Sequence, residues 1–179
     1  MGNAPSRKPN RLENHDYAQP GTYFITICSK GHQQLFGTIA LGSGRQNAAP
    51  TSLMKLSPIG RIVEAEIMRL SRTYEGVYVD CYVVMPNHVH MIIVIRNIHG
   101  RQDAAPTISQ MMNQWKRAAS IKAGSSIWQK SFHDHIIRNQ VRYNLIVQYI
   151  ACNPEIWEKD IYFMGPGRPY IAPSDRPIL

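Results

Sequence analysis

The stretch MPNHVHMIIVI, residues 85 to 95, sets two histidines one residue apart inside an apolar run. In a strand, alternate residues share a face, so His88 and His90 point one way and Val89 the other. Their Cα atoms then lie about 6.5 to 7 Å apart. That separation lets both imidazoles reach a single metal ion at about 2.1 Å. It also suits two imidazoles lining an exposed sheet face, so the pair alone leaves both readings open. Two histidines do not saturate an ion, and a third protein ligand is needed, with positions left for water or substrate. QYIACNP, residues 148 to 154, offers one. Tyr149 and Asn153 are four apart and share one helical face. An amide oxygen from Asn153 would complete the site and set the phenol of Tyr149 beside the metal. Taken alone, Tyr149 reads as a half-buried aromatic; taken with the two histidines, it reads as a nucleophile.

The elements that must position these groups are legible around them. TYFITICS (22 to 29) is rich in β-branched and aromatic residues and predicts a strand. SPIGRIVEAEIMRLSRTY carries Ile59, Ile62, Val63, Ile67 and Leu70 at helical spacing, with Ser57 as N-cap and Pro58 at the first helical position. VYVDCYVVM and HVHMIIVI predict a central hairpin turned at Pro86-Asn87. Residues 107 to 123 predict a second helix capped by Thr107, with Ile108, Met111, Met112, Trp115 and Ala119 along its apolar side. SFHDHIIR predicts a short strand. Asn139 caps a third helix, which Pro154 terminates because it disfavours helical geometry in the residue before it. The order strand, helix, strand, strand, helix, strand, helix predicts an α+β fold. Its centre is a ferredoxin-like antiparallel sheet with packed helices, followed by a C-terminal helix bearing the candidate catalytic residues. The chain divides into a basic N-terminal arm (1 to 21), one domain (22 to 164) and an irregular, proline-rich tail (165 to 179). GRQNAAPTS (44 to 52) and GRQDAAPTI (100 to 108) agree at seven of nine positions. The unit is too short for a solenoid repeat; it reads as a pair of related loop insertions, each expected just before a helical region, with a shared DNA-facing role as the alternative.

Composition narrows the partners. Among 179 residues, 20 Lys+Arg against 12 Asp+Glu give a formal charge of +8, and the pI is near 9.6. This is the footprint of a protein that meets phosphate. The apolar runs fall well short of the roughly 20 residues that span a bilayer, so no membrane is expected. MGNAPS fits a loose myristoylation pattern too short to weigh. Cys28, Cys81 and Cys152 are odd in number and widely spaced, which fits a reducing cytoplasm better than a disulfide framework.

HVH, then IWQKSFHDHIIRN, then YIACNP, together with the N-terminal NRLENHDYAQPGTYFITICSK, closely resembles the REP-associated tyrosine transposases. These belong to the HUH single-strand nucleases. The resemblance runs over roughly residues 7 to 157. It implies that His88 and His90 match the paired metal ligands, Tyr149 the nucleophile and Asn153 the polar ligand one turn later. It also implies a divalent metal, Mg²⁺ or Mn²⁺; because imidazole more commonly serves zinc and other transition metals, Mn²⁺ is expected to be the better activator in vitro. The implied activity is cleavage and strand transfer on hairpin-bearing single-stranded DNA through a 5′-phosphotyrosine link. A monomer with its site in one chain is expected. After NP this chain continues EIWEKD, where the family often has a longer run; this departure leaves the end of the helix open but alters none of the four site positions.

Basic residues would hold phosphates: Arg7, Lys8 and Arg11 in the arm, Lys116, Arg117 and Lys122 on the second helix, and Arg138 before the third. A solvated charged face explains the same residues. Tyr17, Trp115 and Trp128 are candidates for stacking on unpaired bases, although Trp115 lies on the apolar side of its helix. His133, Asp134 and His135 could orient a ligating histidine, touch DNA or supply a third ligand. Tyr143, six residues before Tyr149, falls off its helical face. Two rival functions stand beside the nuclease: a hairpin-binding regulator without nuclease activity, and a metal-dependent hydrolase of a small molecule. The second lacks a further carboxylate- or histidine-rich motif.

Overall fold

A computed structural model describes residues 20–41, 52–96 and 106–163. The four-stranded antiparallel sheet is built from β1 (Gly21–Cys28), β4 (Val77–Val84), β5 (His88–Ile95) and β6 (His133–Ile137), in the order β4-β5-β1-β6. β5 and β1 are the central pair, which explains why their apolar runs are nearly unbroken: both of their faces are covered. The alternation along β5 sends Val89, Met91, Ile93 and Ile95 into the larger core and Ile92 into a smaller one on the other face.

Helices cover both faces. α1 (Pro58–Thr73) begins as expected at Ser57, whose hydroxyl accepts from the Gly60 amide at 3.0 Å. α2 (Ile108–Lys122) begins at Thr107 with a reciprocal capping box to Gln110. Their apolar sides pack together on one face: Val63, Ile67 and Leu70 with Ile108, Met111, Met112, Trp115 and Ala119. α3 (Gln140–Cys152) is capped by Asn139 and lies on the opposite face. Its purchase there is the cluster of Phe24, Ile92, Ile137, Ile146 and Ile150. The sheet, its order and the three helices agree with the expected α+β, ferredoxin-like arrangement. Among the described residues, no helix is long and apolar enough to cross a membrane.

A two-stranded antiparallel hairpin, β2 (Gly37–Leu41) with β3 (Ser52–Leu56), is absent from the sequence-based expectation. It sits between β1 and α1 and is anchored at close range. The Ser57 amide donates to the Phe36 carbonyl at 2.9 Å, and a Cβ on Gly60 would stand 2.0 Å from that same oxygen. Only glycine admits this approach. The hairpin also corrects the expectation for the first GRQ repeat: Ser52, its last residue, opens a strand rather than leading to a helix. The second repeat does run into a helix, at Thr107 and Ile108; residues 44–51 and 100–105 of the two copies lie outside the described residues. So do most of the expected N-terminal arm and the C-terminal tail, including Arg7, Lys8, Arg11 and Tyr17.

Candidate functional site

His88 and His90 open β5 on the face that carries α3, opposite Cys28 and Thr26 of β1. Both are buried, at 0% and 1% exposure, which removes the exposed-sheet-face reading. Their rings are 4.4 Å apart between centroids. Each Nδ1 is held: His88 by the side-chain oxygen of Asn87 at 2.9 Å, and His90 by the Thr26 hydroxyl at 2.8 Å. With both Nδ1 atoms engaged, the Nε2 atoms turn inward, the arrangement that orients metal-ligating histidines.

The helical period of α3 carries Ile146 and Ile150 onto the sheet and brings Tyr149 and Asn153 toward the histidines. The Tyr149 hydroxyl lies 3.2 Å from His90 Nε2, and its ring centroid 5.2 Å from that of His90. Asn153 caps the helix and is fully buried. The same region holds a group that sequence reasoning missed. Asp160, at the end of a short 3-10 turn (Trp157–Lys159), is 4% exposed. One of its oxygens accepts from the Tyr162 amide at 2.7 Å. The other accepts from the Tyr149 hydroxyl at 3.1 Å and from the Asn153 amide at 3.0 Å. The segment after Asn153-Pro154 therefore lies against the site. The one available signal was an acidic residue soon after the helix, and its reach depends on a turn that no periodicity predicts.

Among the described residues, ligand atoms of His88, His90 and Asp160 lie within 4.8 Å of one another, a group able to hold a metal ion. Two atoms strengthen the fit: His88 Nε2 and Asn153 Oδ1 are buried without a hydrogen-bond partner. Such orphans are costly unless something fills their valence. Burial, helped by the neighbouring charge of His32, pulls the His88 pKa down to about 3. Burial also holds His90 well below its usual value, with His88 adding to the effect and Asp160 opposing it. Both imidazoles are thus neutral at physiological pH, the form that ligates. Tyr149 moves the other way. Burial, then the Asp160 carboxylate, raises its phenol well above the usual value near 10.

These shifts give a sign for acid stability. Between about pH 6.5 and 3, the unfolded chain protonates histidines that the metal-free native protein keeps neutral, so stability falls as pH falls through that window and is flat above it. The expected slope approaches about 1.4 kcal/mol per pH unit for each buried histidine. Urea unfolding of metal-free protein at pH 8, 6.5, 5 and 4 measures it. Equal midpoints throughout would mean the two imidazoles protonate as freely in the fold as outside it.

The remaining candidates separate. His133, opposite Thr26, and His135, opposite Phe24, share the α3 face of the sheet, and burial together with Arg142 and Arg138 lowers the His135 pKa. Arg138 is exposed on this side. Tyr143 donates to Asp80, where a bulge interrupts β4 between Val79 and Cys81; it ties α3 to the sheet away from the histidines. α2 lies on the far face. Arg117 there is exposed, and Lys122 pairs with the buried Glu66 of α1. Lys116 is only 8% exposed, its ammonium donating to the carbonyls of Gln129, Lys130 and Ser131. Its charge is therefore turned inward rather than offered to a phosphate. Lys116→Ala should cost about 1–3 kcal/mol in urea unfolding, because three carbonyls lose a donor. Trp115 and Trp128 pack at a tilt in the core, their ring centroids 4.8 Å apart, and both are buried away from any base.

No protein-family model matches the chain. A protein of Haemophilus influenzae described as uncharacterized is 29% identical over 174 residues, covering 86% of this chain and 91% of its own. A REP-associated tyrosine transposase of Escherichia coli is 33% identical over 76 residues, 42% of this chain and 43% of its own. A solved REP-associated tyrosine transposase bound to a REP hairpin superposes with a TM-score of 0.57 at 24% identity, covering 81% of this chain and 73% of that one. The solved structure shares this chain's fold, and the sequence likeness to the Escherichia coli transposase is confined to 42% of this chain. The shared fold includes the four-stranded antiparallel sheet and its three helices.

Proposed function

We propose that this chain is a transposase-like, metal-dependent nuclease and strand transferase acting on hairpin-bearing single-stranded DNA, with Tyr149 as nucleophile. The observation that carries the reading is the meeting of the Tyr149 hydroxyl with His90 Nε2 at 3.2 Å, beside two buried, unpartnered atoms, His88 Nε2 and Asn153 Oδ1. The similar protein solved with a REP hairpin supports the choice of substrate. A net charge of +8 supports a phosphate-rich partner.

His88, His90, Asn153 and Asp160 would hold a divalent ion, Mg²⁺ or Mn²⁺. That ion would polarise the scissile phosphate and offset its growing charge. The protein's own groups carry the remaining steps. With its pKa raised, Tyr149 is a neutral phenol at rest, so its proton must leave as the new bond forms. Asp160 accepts that hydroxyl's hydrogen bond and is the nearest base for the proton. The phenolic oxygen forms a bond to phosphorus while the bond to the 3′ oxygen breaks. The departing oxygen takes up a proton, leaving a free 3′-hydroxyl and a 5′-phosphotyrosine. One phosphoester replaces another, so a 3′-hydroxyl can attack in reverse and rejoin a strand without ATP. His88, His90, Tyr149, Asn153 and Asp160 meet within one chain, which supports a site complete in a monomer.

The test is incubation of end-labelled single-stranded hairpin oligonucleotides with protein and Mn²⁺ or Mg²⁺, followed by a denaturing gel. A labelled band at protein mobility, dependent on metal, is expected. Hairpin binding with no cleavage across a broad library would favour a binding regulator instead.

A further inference from the structure

Asn87, in the turn between β4 and β5, is wholly buried, and none of the mechanism above uses it. Its side-chain amide nitrogen donates to the His32 carbonyl at 3.2 Å and to the Tyr162 carbonyl at 2.7 Å. Its oxygen faces His88 Nδ1 at 2.9 Å. The orientation of this amide is not arbitrary: flipped, it would set its oxygen against two carbonyl oxygens, which cannot donate. The oxygen therefore faces His88, Nδ1 must carry the hydrogen, and Nε2 is left as a bare lone pair. Thr26 imposes no such choice on His90, because a hydroxyl both donates and accepts.

The same amide grips the chain after α3. Tyr162 lies two residues beyond Asp160, and its ring centroid is 4.5 Å from that of His88 and 5.8 Å from that of His90. We propose that Asn87 is a positioning residue that sets the ligating tautomer of His88 and, through the Tyr162 carbonyl, docks the turn carrying Asp160 onto Tyr149 and Asn153. The inference rests on the metal reading of the site. Its consequence is that metal affinity and the docking of residues 157–163 are coupled through one side chain.

Two readouts independent of nuclease activity test it: Mn²⁺ affinity from the EPR signal of free Mn²⁺, and hydrogen exchange of amides in residues 157–163, with α1 and α2 amides reporting the integrity of the fold. Asn87→Ala is expected to weaken Mn²⁺ binding about 10- to 100-fold and to strip protection from the turn. Asn87→Asp keeps an acceptor for His88 but loses both donors; it should open the turn while weakening Mn²⁺ less than about tenfold. Thr26→Val, which removes only the His90 contact, should weaken Mn²⁺ and leave the turn protected. If wild type binds Mn²⁺ and Asn87→Ala and Asn87→Asp both match it in affinity and protection, the inference falls alone. If wild type binds no Mn²⁺, the metal reading falls and takes the inference with it. Should Asn87→Ala fail to fold, Asn87→Asp and Thr26→Val decide the matter between them.

Discussion

Tyr149→Phe is expected to abolish covalent capture of a hairpin oligonucleotide, a loss of at least about 10³-fold, while hairpin affinity stays close to wild type. The substitution removes one oxygen, and that oxygen is the atom that would bond to phosphorus. Packing should survive. The phenol ring sits edge-on to Phe24 at 6.3 Å and beside His90, contacts that a phenyl ring keeps. Asp160 retains its bonds from Asn153 and Tyr162, so the lost hydroxyl should cost only about 1 kcal/mol of stability. Tyr143→Phe is the matched control. Its hydroxyl meets Asp80 on β4, so capture should persist. The assignment would be overturned if Tyr143→Phe lost the covalent band and Tyr149→Phe kept it.

What the sequence disclosed and what it hid divide along the range of the interactions involved. Strand alternation and the helical period act over a few residues, so the faces of β5 and α3 could be read directly, and with them the pairing of His88 with His90 and of Tyr149 with Asn153. Caps are equally local: Ser57, Thr107 and Asn139 each begin a helix where their side chains satisfy an otherwise bare amide. The β2–β3 pairing was hidden because its five-residue strands are short and far apart in sequence, ending at Leu41 and resuming at Ser52. Its place depends on the close approach of Gly60 to Phe36, set by tertiary packing. Asp160 and Lys116 were misjudged for a related reason. Exposed charge is the ordinary fate of such residues, and only the assembled turn shows one carboxylate against Tyr149 and one ammonium capped by three carbonyls.

His88→Ala should produce the second large effect: loss of covalent capture together with a fall in Mn²⁺ affinity of at least about 100-fold, since one of few protein ligands disappears. Hairpin binding should persist with a similar salt dependence, because that term comes from Lys and Arg neutralising phosphates. Stability separates a ligand from a packing residue. Without metal, the wild-type protein buries an imidazole whose Nε2 has no partner, a cost that His88→Ala removes while opening a cavity. The two terms oppose each other, so the metal-free proteins should unfold at similar urea concentrations. With saturating Mn²⁺, only the wild type should gain, by the amount that ligand binding to the native state confers. A His88→Ala protein that is stabilised by Mn²⁺ as strongly as wild type would leave the imidazole as core packing, and would shift the weight of any metal site onto His90, Asn153 and Asp160.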